Sequence, residues 1–192
     1  MRSVWVDEGN DADYVTCKRN GCDTLSFAIR DPRTPNNLKT AKAQGWATRV
    51  YAAWNWWPDL SGDEFVGAVS ALLTRVAPGT VGTPGVDLNY EGDNPAYVAA
   101  MLERWRELRP HRDTLWTMQS HKAALYGGIA SVLSDARITV APQCYSGAMV
   151  RVESAAEYAA WRVIASRISP FYDAAQLGLW WEGTAFTQGR LP

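Results

Sequence analysis

The segment 85–92 carries acidic and amide side chains at alternate positions. Successive side chains of an extended strand point to opposite faces, so Asp87, Asn89 and Glu91 share one face and apolar residues share the other. Two carboxyl groups in one cleft are what cleavage of a glycosidic bond requires, one as acid and one as base or nucleophile. Repulsion between them, or apolar walls around one, would raise one pKa and let that carboxyl keep a proton. A solvated strand end with a polar ladder has the same spacing, and this alternative stays open.

A second group with binding chemistry is a cluster of tryptophans. Ten of the 192 residues are tryptophan, and the segment 54–57 reads Trp-Asn-Trp-Trp. An indole ring can stack on the apolar face of a sugar while a neighbouring amide binds its hydroxyls. We therefore interpret Trp54, Asn55 and Trp56 as candidate substrate-binding residues. The alternative is that these rings cover the end of the sheet or contact a neighbouring subunit.

The elements that must position these residues alternate between short β-rich runs and helical patterns. The predicted strands cover 3–6, 24–30, 47–54, 85–90, 114–118, 137–141, 170–172 and a part of 177–186. The predicted helices cover 11–19, 35–44, 62–76, 95–108, 122–133 and 154–168. Such alternation is typical of parallel βαβ units.

Eight predicted strands favour a closed α/β fold, a compact (β/α)8 TIM-like barrel that forms one domain over 1–192. Barrels of this type rarely have fewer than about 200 residues, so we expect reduced last helices. An open doubly wound sheet is the alternative.

In a parallel barrel the functional residues collect at the carboxyl ends of the strands. Polar side chains stand at most of these ends in the predicted arrangement. They include Asp7, Arg30, Asp31, Asn55, Gln119, Gln143 and Tyr145. We expect Asn89, Gln119, Gln143 and Tyr145 to bind substrate beside the carboxyl groups.

Composition argues against several classes of protein. The 19 basic residues are balanced by 20 acidic ones, which argues against a nucleic-acid binder that neutralises phosphates. No apolar run approaches the length of about 18–20 residues that a membrane span needs. The first residues do not form the apolar segment of a secretion signal. Three cysteines and two histidines fit neither a disulfide framework nor a metal site, so we expect no metal and no cofactor, and whether Cys17 and Cys22 pair stays open.

Several short segments resemble a known family. Val-Trp-Val-Asp at 4–7, Val-Asp-Leu-Asn-Tyr-Glu-Gly at 86–92 and Thr-Val-Ala-Pro-Gln-Cys-Tyr at 139–145 resemble the lysozyme-type (muramidase) glycoside hydrolases. The segments 170–177 and 186–192 are similar to small glycoside-hydrolase-like barrels encoded among the tail genes of phages of actinobacteria. The resemblance implies a parallel barrel, a host cell-wall or surface glycan as ligand, and other phage tail proteins as partners. It also implies a place in the virion tail after assembly in the host cytoplasm.

The resemblance also implies roles for individual residues. Glu91 would be the proton donor, and Asp87 and Asp7 would assist as base, nucleophile or electrostatic partner. Gln143 and Tyr145 would bind substrate.

One departure from the family pattern leaves two functions open. The muramidase strand has one residue between its Asp and its Glu, whereas three residues separate Asp87 from Glu91. Asn89 stands where the family has its glutamate, and an amide cannot donate a proton as a general acid. The chain is therefore expected to be a glycoside hydrolase that acts on cell-wall polysaccharide or a non-catalytic adhesion or structural component of the tail. A cytosolic α/β enzyme of another chemistry is a third, weaker alternative.

Overall fold

The computed structural model describes residues 3–6, 11–19, 21–77, 85–109, 114–143, 155–169 and 171–173. Its strands are β1 Ser3–Trp5, β2 Thr24–Ala28, β3 Ala47–Ala53, β4 Gly85–Asn89, β5 Thr114–Gln119, β6 Ile138–Gln143 and β7 Phe171–Asp173. Its α-helices are α1 Asp11–Arg19, α2 Thr34–Ala43, α3 Gly62–Val76, α4 Pro95–Leu108, α5 Ala130–Leu133 and α6 Ala155–Ile164. Two 3-10 helices span Trp54–Trp56 and Ser120–Ile129.

The strands form one curled parallel sheet in chain order. Each of β1 to β5 pairs with the next strand along the chain, and all these pairings are parallel. β7 pairs with β1 at three positions and with β6 at one, and so bridges the two edges of the sheet. The predicted mixed α/β fold with parallel strands is confirmed. A complete (β/α)8 barrel is not shown, because the predicted eighth strand at 177–186 lies outside the described residues.

Local sequence signals explain where the two longest helices begin. Ser61 accepts a hydrogen bond from the Glu64 amide while the Glu64 carboxylate accepts from the Ser61 amide, so a capping box starts α3. The Asn94 side chain caps α4 by accepting from the Tyr97 amide at 3.1 Å, and Pro95 needs no hydrogen bond at the first helical position. Both helices therefore begin at fixed residues. Their buried side chains share the main core with Val86 and Leu88 of β4.

Strand register divides polar from apolar side chains. Residues paired across parallel strands point to the same face, so Asp87 shares the inner face of the sheet with its partners Tyr51 and Leu115. The alternate residues Val86 and Leu88 are fully buried in the main core beneath the helices. The inner face is therefore polar in β4, as the alternation in 85–92 predicts.

One predicted helix differs from the structure. The pattern at 122–133 predicts an α-helix, but a 3-10 helix fills Ser120–Ile129 and only Ala130–Leu133 is α-helical. Ala123 and Tyr126 are buried and Ile129 is half-buried, at intervals of three residues. With three residues per turn these side chains lie along one line, whereas an α-helix would rotate them away from the sheet.

Among the described residues, none of the helices combines the length and the apolar character needed to cross a membrane.

The contact between α3 and α4 gives a first prediction. A Cβ atom added at Gly62 would lie 2.9 Å from the carbonyl oxygen of Tyr97 and 3.0 Å from the amide nitrogen of Met101. Because both are backbone atoms of a packed helix, we expect Gly62→Ala to lower the free energy of unfolding by about 1–3 kcal/mol. Urea denaturation followed by circular dichroism measures this change.

Gly67 on the same helix provides the matched control. A Cβ added at Gly67 meets no atom within 4 Å, and the residue is exposed. We expect Gly67→Ala to raise the free energy of unfolding by about 0.4–1 kcal/mol. Equal destabilisation by both substitutions would contradict the close packing of α3 on α4.

Candidate functional site

A carboxylate held by two amides lies just beyond the carboxyl end of β4. Gln143 Nε2 donates to Glu91 Oε1 at 2.6 Å, and Gln119 Nε2 donates to Glu91 Oε2 at 3.5 Å. The two glutamines are the last residues of β6 and β5 and are paired in register. Parallel strand ends thus converge on Glu91, which is half-buried. We call Glu91, Gln119 and Gln143 the carboxylate–amide cluster.

The 3-10 helix after β5 fixes the backbone that carries Glu91. Lys122 Nζ donates to the carbonyl oxygen of Glu91 and forms an ion pair of 2.8 Å with Asp93. The Tyr126 hydroxyl donates to the carbonyl oxygen of Gly92 at 2.6 Å. These bonds hold residues 91–93 against the neighbouring connection, so Glu91 has a defined position although it lies outside the strand.

Asp87 lies deeper, on the inner face of the sheet. Its side chain is fully buried, with 0% of its surface exposed. The Thr117 hydroxyl donates to Asp87 Oδ1 at 2.5 Å, and Trp5 Nε1 donates to Asp87 Oδ2 at 3.4 Å. Strands β1, β4 and β5 therefore enclose this carboxyl between them.

Burial changes the acidity of this carboxyl. Loss of hydration raises the pKa of Asp87 to about 7, because the charged form is penalised away from water. The hydrogen bond from Thr117 and the charge of the buried Arg49 act in the opposite direction and lower this pKa, but less strongly. Asp87 is therefore the carboxyl that burial enables to keep a proton near neutral pH.

Gly85, which has no side chain, leaves room for Arg49 at the level of the sheet below Asp87. A Cβ at Gly85 would lie 2.7 Å from Arg49 Nη1. Gly85 is the register partner of Arg49 and lies two residues before Asp87 on the same face of β4. Because Gly85 has no Cβ atom, the Arg49 guanidinium can lie close to the backbone of β4 on the inner face of the sheet.

The two carboxyl groups are anchored at different levels of the sheet. Thr117 binds Asp87 and Gln119 binds Glu91, and these two anchors lie two residues apart on one face of β5. This spacing corresponds to about 7 Å along a strand. Asn89 lies between Asp87 and Glu91 in sequence. It is 3% exposed, and its register partner on β5 is Thr117. The structure thus separates a buried acidic group from a half-buried carboxylate–amide cluster above it.

The three tryptophans after β3 pack against different aromatic residues. Trp54 packs on Tyr90, with ring centroids 5.1 Å apart, and Trp57 packs edge-on against Phe65 of α3 at 5.8 Å. Trp56 contacts Tyr51 of the inner face at 5.5 Å. All three rings are half-buried against the main core. Internal contacts therefore account for much of their surface, in agreement with the alternative that they cover the end of the sheet.

The structure brings only some of the candidate residues together. Glu91, Gln119 and Gln143 form one cluster. Asp87 and Asn89 are buried below it. Asn55 is exposed within the 3-10 helix Trp54–Trp56. Asp7 and Tyr145 lie outside the described residues.

Sequence reasoning missed three residues that hold the two carboxyls. Thr117 donates a hydrogen bond to Asp87, and the charge of Arg49 lowers the pKa of Asp87. Lys122 binds the backbone of Glu91. Arg49 could have been found as a charged residue within a predicted strand. The alternation of side chains along that strand places it on the inner face of the sheet. Lys122 had no such signal, because only the 3-10 geometry places it near Glu91.

The described residues contain no group of three or more side chains suited to hold a metal ion. Cys17 and Cys22 are both buried and are not joined by a disulfide.

Comparisons with known proteins add no identification. No protein-family model matches the chain, and no curated protein matches its sequence.

The buried acid predicts how stability depends on pH. Asp87 keeps its proton in the folded state up to a pKa of about 7 but loses it near pH 4 when unfolded. Between these values the folded state binds more protons, so the free energy of unfolding falls as pH rises, by up to about 1.4 kcal/mol per pH unit. We expect Asp87→Asn to remove this component when urea unfolding is compared at pH 5 and pH 7.5.

Asp135 provides the control for this measurement. Hydrogen bonds from Arg137, with the charge of Arg106, hold the pKa of Asp135 below its usual range. This carboxyl is ionised in both states above pH 5, so Asp135→Asn should change stability equally at the two pH values. An unchanged pH slope in Asp87→Asn would show that Asp87 is ionised in the folded protein.

Proposed function

We propose that the protein is a phage tail-associated, glycoside-hydrolase-like barrel that binds a host cell-wall or surface glycan at the carboxylate–amide cluster. The observation that carries this proposal is the convergence of Glu91, Gln119 and Gln143 at the carboxyl ends of three strands. That edge is where parallel α/β barrels bind their ligands. The complete (β/α)8 architecture and assembly with other tail proteins belong to the same proposal.

The chemistry of the cluster suits sugar hydroxyls. A hydroxyl both donates and accepts, and the cluster offers carboxylate oxygens that accept and amides that do both. The Gln119 contact with Glu91 is long, at 3.5 Å, so a ligand hydroxyl can replace this amide at little cost. Gln143 is 6% exposed and donates from Nε2 to Glu91 Oε1 at 2.6 Å, so it keeps the carboxylate in place when the ligand replaces Gln119.

The phage assignment is supported by the resemblance of the segments 170–177 and 186–192 to small tail-encoded barrels. A particle assembled in the host cytoplasm must attach to an envelope rich in polysaccharide. A glycan-binding edge on a tail protein meets this requirement.

Binding without hydrolysis is the function that the positions of the carboxyls favour. A general acid must come within hydrogen-bond reach of the glycosidic oxygen. Asp87 has the raised pKa that suits an acid, but it has no exposed surface. Glu91 reaches the edge, but one of its oxygens is held by Gln143 Nε2 at 2.6 Å.

Hydrolysis of the bound glycan is the second candidate, and the pKa of Asp87 near 7 is the observation that favours it. The side chains that bind Asp87 and Glu91 lie two residues apart on one face of β5, so both carboxyls belong to the same polar face of the sheet. In this case Asp87 would be the acid and Glu91 the base, after an opening that exposes Asp87.

The binding proposal predicts the effect of Glu91→Gln. The substitution keeps the shape but replaces a charged acceptor by an amide, and hydrogen bonds to charged groups contribute about 1.5–3 kcal/mol. We expect binding to isolated actinobacterial cell walls to weaken at least about tenfold. Co-sedimentation with purified cell walls measures this affinity.

Glu103→Gln is the matched control for Glu91→Gln. Glu103 is exposed on α4, on the outside of the sheet, and the substitution removes the same charge. Its binding should equal that of the unmodified protein. Equal binding by the Glu91 variant, or no binding by the unmodified protein, would refute a glycan site at this cluster.

Release of reducing ends from the same cell walls separates the two candidates. We expect none above background, because Asp87 is enclosed. Turnover that disappears in both Asp87→Asn and Glu91→Gln, with the folded state retained, would instead establish hydrolysis.

A further inference from the structure

Arg30 lies on the same edge of the sheet as Glu91, two residues after the end of β2. Its guanidinium carbon is 5.0 Å from the ring centroid of Trp57 and 5.8 Å from that of Trp56. Its Nη1 also donates to the carbonyl oxygen of Trp56 at 3.4 Å. The side chain is exposed, so two indoles hold the guanidinium while water still reaches it.

The charge of Arg30 is not neutralised within the described part of the chain. The neighbouring carboxylate, Asp31, is bound by Arg33, with Nη2 at 2.7 Å and Nε at 3.1 Å from its oxygens. None of the ion pairs among the described residues involves Arg30. Among the described residues, no carboxylate therefore occupies the N–H donors of Arg30, whose guanidinium is held at this edge.

The geometry of a stacked arginine favours one class of ligand. Contact with an aromatic face fixes the guanidinium plane and leaves N–H donors at its edge, which match the two oxygens of a carboxylate or phosphate. Trp56 contacts both Arg30 and Tyr51 of the inner face. An oxyanion bound by Arg30 would thus lie beside Trp56 and Trp57, on the same edge of the sheet as Glu91.

We propose that Arg30, held by Trp56 and Trp57, binds an oxyanion carried by the glycan, so that the protein selects acidic over neutral saccharides. This inference rests on the proposed function, because it names the substrate class of the same edge. The oxyanion is a sugar carboxylate or a phosphodiester, since both present two oxygens to the guanidinium.

Calorimetric titration of the full chain with three probes tests the proposal. The probes are a galacturonic acid tetramer, its neutral methyl ester, and a short glycerol-phosphate polymer that bears sugar. We expect at least one acidic probe to bind tenfold or more tightly than the ester. The stronger of the two acidic probes identifies carboxylate or phosphodiester as the source.

Arg30→Gln should reduce this preference to less than about twofold, while Arg75→Gln, an exposed arginine of α3, should keep it. Circular dichroism checks that both variants are folded. An unchanged preference in Arg30→Gln, or equal binding of acidic and neutral probes by the unmodified protein, overturns the inference and leaves glycan binding intact. If the unmodified protein binds none of the three probes and does not bind the cell walls, the proposed function is overturned as well.

Discussion

Burial of the Asp87 carboxyl inside a curled parallel sheet constrains the rest of the interior. An enclosed carboxyl must be hydrogen-bonded, neutralised by protonation, or paired with a cation. Here Thr117 and Trp5 bind it, Arg49 lies near enough to influence it, and its pKa rises to about 7. These partners come from β1, β3 and β5, so one side chain of β4 determines inner positions in three other strands.

Polar chemistry continues from this interior to the edge of the sheet. The inner face of β4 runs from Gly85, which makes room for Arg49, through Asp87 to Asn89, and Glu91 follows beyond the strand. Gln119 and Gln143 reach Glu91 because their strands end at the same level in register. The buried acid and the half-buried carboxylate–amide cluster are thus two levels of one polar column, of which the upper level lies at the carboxyl ends of the strands.

The edge combines three kinds of surface. The cluster at Glu91 offers hydrogen-bond donors and acceptors, Trp56 offers an aromatic ring between interior and rim, and Arg30 offers a fixed positive charge. The acidic saccharides that we propose as ligands carry hydroxyls, apolar C–H faces and oxyanions, which correspond to these three kinds of surface. The 3-10 helix after β5 supports this edge, since Lys122 and Tyr126 bind the backbone of residues 91–93.

Local patterns determined much of the fold. Alternation in 85–92 placed Asp87 and Asn89 on the inner face, and the bounds of α3 and α4 follow from periodicity and capping residues. Sequence spacing also indicated Gln119 and Gln143 as strand-end residues. Only the tertiary structure decided which carboxyl is buried, that Trp54 and Trp57 pack inward, and that Lys122 supports Glu91. Those outcomes depend on strand register and on contacts between residues far apart in sequence, which no local pattern encodes.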